Sequence, residues 1–202
     1  MEQFLTGLGL SGSAGLNAYL PLMIIGVTHR LGWVEVASPY DNLSSTPALI
    51  IVFILLLVEM TADKIPAIDH TNDLINTVIR PAAGALLMLA STSGTDDNLN
   101  PALMLTISIL AGSISAGSVH GIKASARPAV TLTTFGFGNI VVSLIEDVIA
   151  VVVSLFAILI PFVVIFFAMS VVSLTGWIVW DLRRTRQIFR SMQYDTLDTA
   201  VP

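Results

Sequence analysis

VEMTADKIPAIDHTND, residues 58–73, decides the fold, because here a purely apolar run meets four carboxylates, a lysine and a histidine. Charge that close to hydrocarbon is either solvated at a membrane edge or held in a polar site, since ionisable groups within a membrane are rare and functional by default. Glu59 closes the apolar run 48–58 and Asp63 follows four residues later, so a continuing helix places both carboxylates on one face. Pro66 opposes that continuation, because proline lacks an amide hydrogen and disfavours helical geometry at Ile65. Asp69, His70 and Asp73 are therefore expected in a connector, with Asp73 as N-cap of a helix from Leu74.

The flanking composition agrees with a membrane setting. Of 202 residues 54% are hydrophobic and only 11% charged, with mean hydropathy +0.85, which is too little charge to clothe a soluble globule. Residues 48–58, 82–90 and 150–174 contain no charge, and the last run alone has the ~20 residues that cross a hydrocarbon core of ~30 Å. The expected fold class is an all-α membrane protein of about six transmembrane helices, one domain over 1–202 with halves 1–95 and 96–182 and a tail at 183–202. The absence of cysteine excludes disulfides, thiolate metal sites and a cysteine nucleophile. No basic, aromatic-interleaved surface points to nucleic acid. The amino terminus lacks a basic n-region and a cleavage pattern, so Phe4 onward reads as a retained first span.

Span one, 4–27, carries GLGLSGSAG at Gly7–Gly15, then Asn17 and Pro21. Gly7, Gly12, Ser13 and Gly15 permit close helix packing, or else a broken helix whose freed backbone, with Ser11, Ser13 and Asn17, lines a polar site. The further spans are read as 47–62, 74–90, 101–119, Pro128 to Glu146, and 148–180 with a kink at Pro161. The polar segment 91–100 marks the midpoint. AGSISAGS at 111–118 supplies Gly112, Gly117 and Ser118, and His120, Lys123 and Arg127 follow at helical spacing. With Arg183 to Arg190 cytoplasmic, eight of nine basic residues fall inside, only Arg30 lies outside, and both termini are cytoplasmic, in a bacterial inner membrane.

The halves share a weak repeat. Leu5, Gly7, Gly12 and Ser13 match Leu110, Gly112, Gly117 and Ser118 at a constant offset, which three spans per half would make an inverted repeat. Arg80-Pro81 and Arg127-Pro128 both precede apolar runs, where a helix amino terminus attracts anions; they read equally as interface anchors or as partners of Glu59, Asp63 and Asp69.

GLSGSAGLNAYLPL, VEMTADKIPAID, RPAAGALL and GSVHGIKASARP together resemble the small integral membrane proteins called domain of unknown function 4126. That resemblance covers nearly the whole chain and implies a multi-span fold, with no established activity.

The leading expectation is a small channel or secondary transporter in the lipid bilayer, a homo-oligomer or an inverted-repeat monomer, for an unidentified ion or small solute. Its candidate site joins Asn17, Glu59, Asp63, Lys64, Asp69, Arg80, His120, Lys123 and Arg127, with His120 able to change charge near neutral pH. Two other readings stand beside it, handling of an anionic lipid headgroup and an assembly role without a pathway. No HExxH, GxSxG, P-loop or paired metal motif occurs, so no enzyme, cofactor or metal is expected.

Overall fold

Asn17 breaks the first apolar stretch in two. Its Oδ1 accepts from the amides of Tyr19 and Leu20 at 3.1 Å each, an N-cap pattern that ends one helix and starts the next. The result is α1 (Glu2–Ala14) followed by α2 (Tyr19–Arg30), each too short to cross a bilayer. Gly32, at φ +74°, takes the left-handed conformation that terminates α2. The computed structural model describes residues 1–64, 66–94, 100–134 and 137–164, with isolated positions from Phe166 to Arg184; side chains at 66–71, 129, 132 and 137 are outside the described set.

A short 3-10 turn at Tyr40–Ser44 leads to α3 (Thr46–Ala62), whose N-cap Ser45 accepts from the Ala48 amide and whose Pro47 occupies the first turn, where no amide partner is needed. Three long helices follow: α4 (Pro66–Thr92), α5 (Pro101–Thr134) and α6 (Phe137–Leu159). All six helices belong to a unit spanning Met1–Val164. Segments Asn72–Thr92, Pro101–Pro128 and Gly138–Leu159 are long and apolar enough to cross a membrane, and α3 is a shorter apolar helix. Among the described residues there is no strand.

The centre of this unit is α1. It packs antiparallel to α4, shown by Gly7 on Met88 and Ser11 bonding the Gly84 carbonyl, and antiparallel to α6, shown by Thr6 bonding Ala157 and Ser13 bonding Ala150. Against α5 it runs parallel, since Leu8 meets Ser115 and Leu16 meets Lys123. Small residues make this possible. Leu10, Ala14, Ala83, Leu87, Ala90, Ala116 and Ala157 form one apolar core with α2 residues Leu22 and Ile25.

The hairpin α1–α2 enters and leaves at one end. Gln3 lies beside Gly94, and the Ala37 amide beyond α2 donates to Ser93 Oγ at 3.0 Å, so both limbs open where α4 ends. We call this the hairpin end; the last residues of α3 and α5, Ala62 and Thr134, lie at the opposite end. From Asp147 to Leu159 is ~18 Å of helix and from Phe137 to Asp147 ~15 Å, so the hairpin tip stops part-way through the bundle.

Five expectations change. Residues 4–27 are a re-entrant hairpin and not one crossing, because Asn17 caps a second helix. Pro66 starts α4 at a position where its missing amide costs nothing, so Asp73 is mid-helix. Pro81 and Pro128 lie inside helices, which removes the helix-terminus anion sites proposed beside Arg80 and Arg127. Glu146 and Asp147 lie within α6 and not in a turn between spans; α6 ends at Leu159, before Pro161. Finally, the segments carrying the matched glycine motif run parallel, whereas an inverted repeat requires them opposed. In the second unit, Ile165–Pro202, the described positions are helical and the Arg184 guanidinium stacks 5.5 Å from the Trp180 ring centre. Arg183, Arg186 and Arg190 of the basic tail are outside the described residues.

Candidate functional site: an ion cluster beneath the hairpin tip

Each long helix carries one narrow buried stripe that turns from small to charged along its length. On α5 it is Ser108, Gly112, Ala116, His120, Lys123 and Arg127; on α6 it is Ala157, Ser154, Ala150, Asp147, Ser143 and Asn139. On α4, Gly84, Arg80 and Asn76 continue the pattern. The outward faces are apolar, with Ile107, Ile114, Ile122, Val141, Leu144 and Val148 exposed, as expected against lipid. The charged ends of the stripes meet where α1 stops.

There the backbone freed by the break is taken up by charge. Arg80, fully buried, donates through NH1 to the Gly15 carbonyl at 3.0 Å, and Lys123 Nζ donates to the Leu16 carbonyl at 2.9 Å. The Ala18 amide donates to Glu59 Oε2 at 3.1 Å. Glu59 Oε1 accepts from Arg80 Nε at 3.3 Å and NH2 at 2.9 Å, a fork that satisfies both groups. Asp63 Oδ2 takes Lys123 at 2.9 Å, Arg127 at 3.1 Å and Arg80 at 3.6 Å, while Asn72 donates to Oδ1. Glu146 approaches Lys123 at 3.0 Å and Arg127 at 3.4 Å. Asn17 Nδ2 donates to Asp147 Oδ1 at 2.9 Å, and Lys64 lies 3.5 Å from Asp147 Oδ2 at the rim.

His120 is held neutral by geometry. Arg80 NH1 lies 3.0 Å from its Nδ1, and a guanidinium has no lone pair to offer, so Nδ1 must accept. Nε2 then carries the hydrogen and faces Thr77 Oγ1 at 3.2 Å, which in turn donates to the Asp73 carbonyl. A second proton would set two donors against each other, which opposes the expected charge change.

Residues 4–181 match the family described as Domain of unknown function (DUF4126). The chain belongs to this family. No curated protein and no solved structure matches it significantly.

In this DUF4126 chain, Asn17, Glu59, Asp63, Arg80, His120, Lys123 and Arg127 are brought into one cluster, with Lys64 at its edge. Asp69 is outside the described side chains. Asn72, Asp73, Thr77, Glu146 and Asp147 are additional members. For Asp147 the signal in the sequence is the spacing Asn139, Ser143, Asp147, Ala150, Ser154 and Ala157, a polar stripe in an apolar helix. Among the packing candidates, Gly7, Gly15 and Gly112 sit at backbone-close crossings and Ser13 bonds both Ala150 and Ser154. Gly12 and Gly117 do not, since an added Cβ would meet only ordinary neighbours at 3.5 and 3.6 Å, and Ser118 is exposed. Gly9 and Gly84 take their places: a Cβ on Gly84 would lie 2.5 Å from the Gly112 carbonyl oxygen. Among the described residues no group of His, Cys, Asp and Glu is arranged to hold a metal ion.

Proposed function

We propose that this integral membrane protein transports a small ion or solute, admitted from the opposite end to the charge cluster under the hairpin tip. One observation carries the reading. The helix α1 stops at the cluster while α4, α5 and α6 continue for another ~15–20 Å, and the buried side chains described beyond it, Asn76, Arg127, Asn139 and Ser143, are polar. Buried polar atoms without a hydrogen-bond partner include Asn76 Nδ2, Ser143 Oγ and Asp73 Oδ1 on that side, beside Ser91 Oγ and Asp41 Oδ1 towards the hairpin end. Such atoms are normally satisfied, by ordered water where protein offers nothing. In the hairpin half a cavity of about 200 Å³ lies at the rim, beside Thr6, Trp33 and Ser91, and beneath it α1 packs through Leu10 on Leu87, Ala90 and Ala157; we therefore read the cluster as open from the other side, as in a carrier whose site opens to each face in turn. No chemistry beyond binding and transfer is assigned to the cluster.

The cysteine-free chain makes the test direct. Ser143→Cys and Asn76→Cys should react with a charged, membrane-impermeant thiosulfonate added on the opposite-end side of oriented liposomes, whereas Ala157→Cys should not. Wild-type liposomes should show ion or solute flux that labelling at Ser143→Cys suppresses. Unreactive cysteines together with flux equal to empty liposomes across protons, alkali cations, chloride and small organic anions would leave an assembly role. Labelling without flux, with retention of anionic lipid, would favour headgroup handling.

A further inference from the structure

We propose that Arg80, Lys123 and Arg127 form a binding site for a small oxyanion, a carboxylate or phosphate, and that Asp63 occupies it in this state as a tethered stand-in. The inference rests on the transport reading only for its physiological setting; the site itself rests on geometry. Three cationic groups from two helices converge on the single oxygen Asp63 Oδ2, at 2.9, 3.1 and 3.6 Å. That is how a protein recognises an oxyanion oxygen, with guanidinium nitrogens of two arginines on one side and an ammonium point charge on another. The cationic side chains are 0–4% exposed, so bulk water does not neutralise them, and an anion must.

The cations and their anion are held with unequal firmness. Arg80 and Lys123 also bond the Gly15 and Leu16 carbonyls, and α4 and α5 are locked by the Gly84–Gly112 backbone approach. Asp63 instead caps the carboxyl end of α3, a helix in which Leu56 and Glu59 are the only buried residues. Swinging the Asp63 side chain out, one turn beyond Glu59, leaves the Glu59–Arg80 contact in place, while moving the cations would disrupt the centre. A visiting oxyanion that replaces Asp63 keeps the charge balance, and Glu146 remains on Lys123 and Arg127 in either state. Exchange between tethered and free anion gives the site a resting and a loaded form.

The experiment is to empty the site and refill it. Asp63→Gly, purified in detergent, is titrated with sodium formate, acetate or phosphate against sodium chloride at constant ionic strength, and separately with a short-chain phosphatidic acid. The expected result is a saturable rise in unfolding temperature on the order of 5 °C at about 100 times the dissociation constant, for an oxyanion and not for chloride. Wild type should need more anion for the same response, because Asp63 competes. A response to the lipid alone would identify a headgroup as the oxyanion's source; a response to the free anions identifies a soluble one. Should Asp63→Gly not fold, Asp63→Asn is titrated in its place, and purification of Asp63→Gly in formate should recover monodisperse protein. No oxyanion-specific shift in the folded variant, or no recovery in formate and no shift in Asp63→Asn, overturns the proposal. Binding without flux would retire transport and keep the anion site; cation flux without an anion shift would do the reverse.

Discussion

Glu59 and Arg80 are the pair on which the site depends, because each is buried and each satisfies the other. Removing one partner of such a pair leaves an uncompensated ion, at a cost of about 3–5 kcal/mol, whereas removing both can be close to neutral. Glu59→Gln should therefore destabilise strongly, and Glu59→Gln with Arg80→Gln should recover part of the loss in thermal unfolding. Equal, additive losses would show that the fork is not the relevant contact. Asn17→Ala removes the cap of α2 and the bond to Asp147, and should cost roughly 1–3 kcal/mol by the same assay. The importance of Glu59 is legible in the sequence because a lone carboxylate ends an apolar run. Its partner is not: Lys64 is near in sequence yet pairs with Asp147, while Arg80 reaches Glu59 only because α4 turns back beside α3. Asp147 escapes a first reading because two adjacent acids before an apolar run look like a turn, and only its spacing with Ser143, Ala150 and Ser154 places it on a buried face.

At the scale of elements, α4 and α5 meet backbone to backbone at Gly84 and Gly112. A Cβ on Gly112 would run into the Gly84 carbonyl and the Ala85 backbone, and backbone cannot yield as a flexible side chain can. Gly84→Leu and Gly112→Leu should prevent recovery of monodisperse protein, while Gly12→Leu and Gly117→Leu should be tolerated far better. The opposite ranking in size-exclusion profiles would mean that α4 and α5 are not held this way. The existence of α3, the later part of α4 and most of α5 is legible from apolar runs and small-residue spacing. The break after Ala14 is legible only as one of two options, since GLGLSGSAG suits both close packing and unwinding. What decides it is tertiary: carbonyls at Gly15 and Leu16 stay unpaired in the chain only because Arg80 and Lys123 meet them.

For the whole molecule, three of the eight inner basic residues lie outside what the positive-inside rule counts. The rule counts charges left in loops during insertion, but Arg80, Lys123 and Arg127 are buried in the bundle and partnered by carboxylates. Leaving them out reduces the count from eight to one to five to one, with four of the five in the tail. Contacts place the amino terminus and residues 91–94 at one end, because Gln3 lies beside Gly94 and the Ala37 amide bonds Ser93. The re-entrant hairpin is the cause: a first segment that returns to its own side shifts every later crossing by one relative to a simple count of apolar runs. Single cysteines at Gln3 and Gly94 should thus be labelled from one side of the membrane, and one at Thr134, at the end of α5, from the other. Gln3 and Gly94 labelled from opposite sides would restore a spanning first segment. The cluster would then no longer lie beneath a hairpin tip, and one-sided access to it would lose its structural basis.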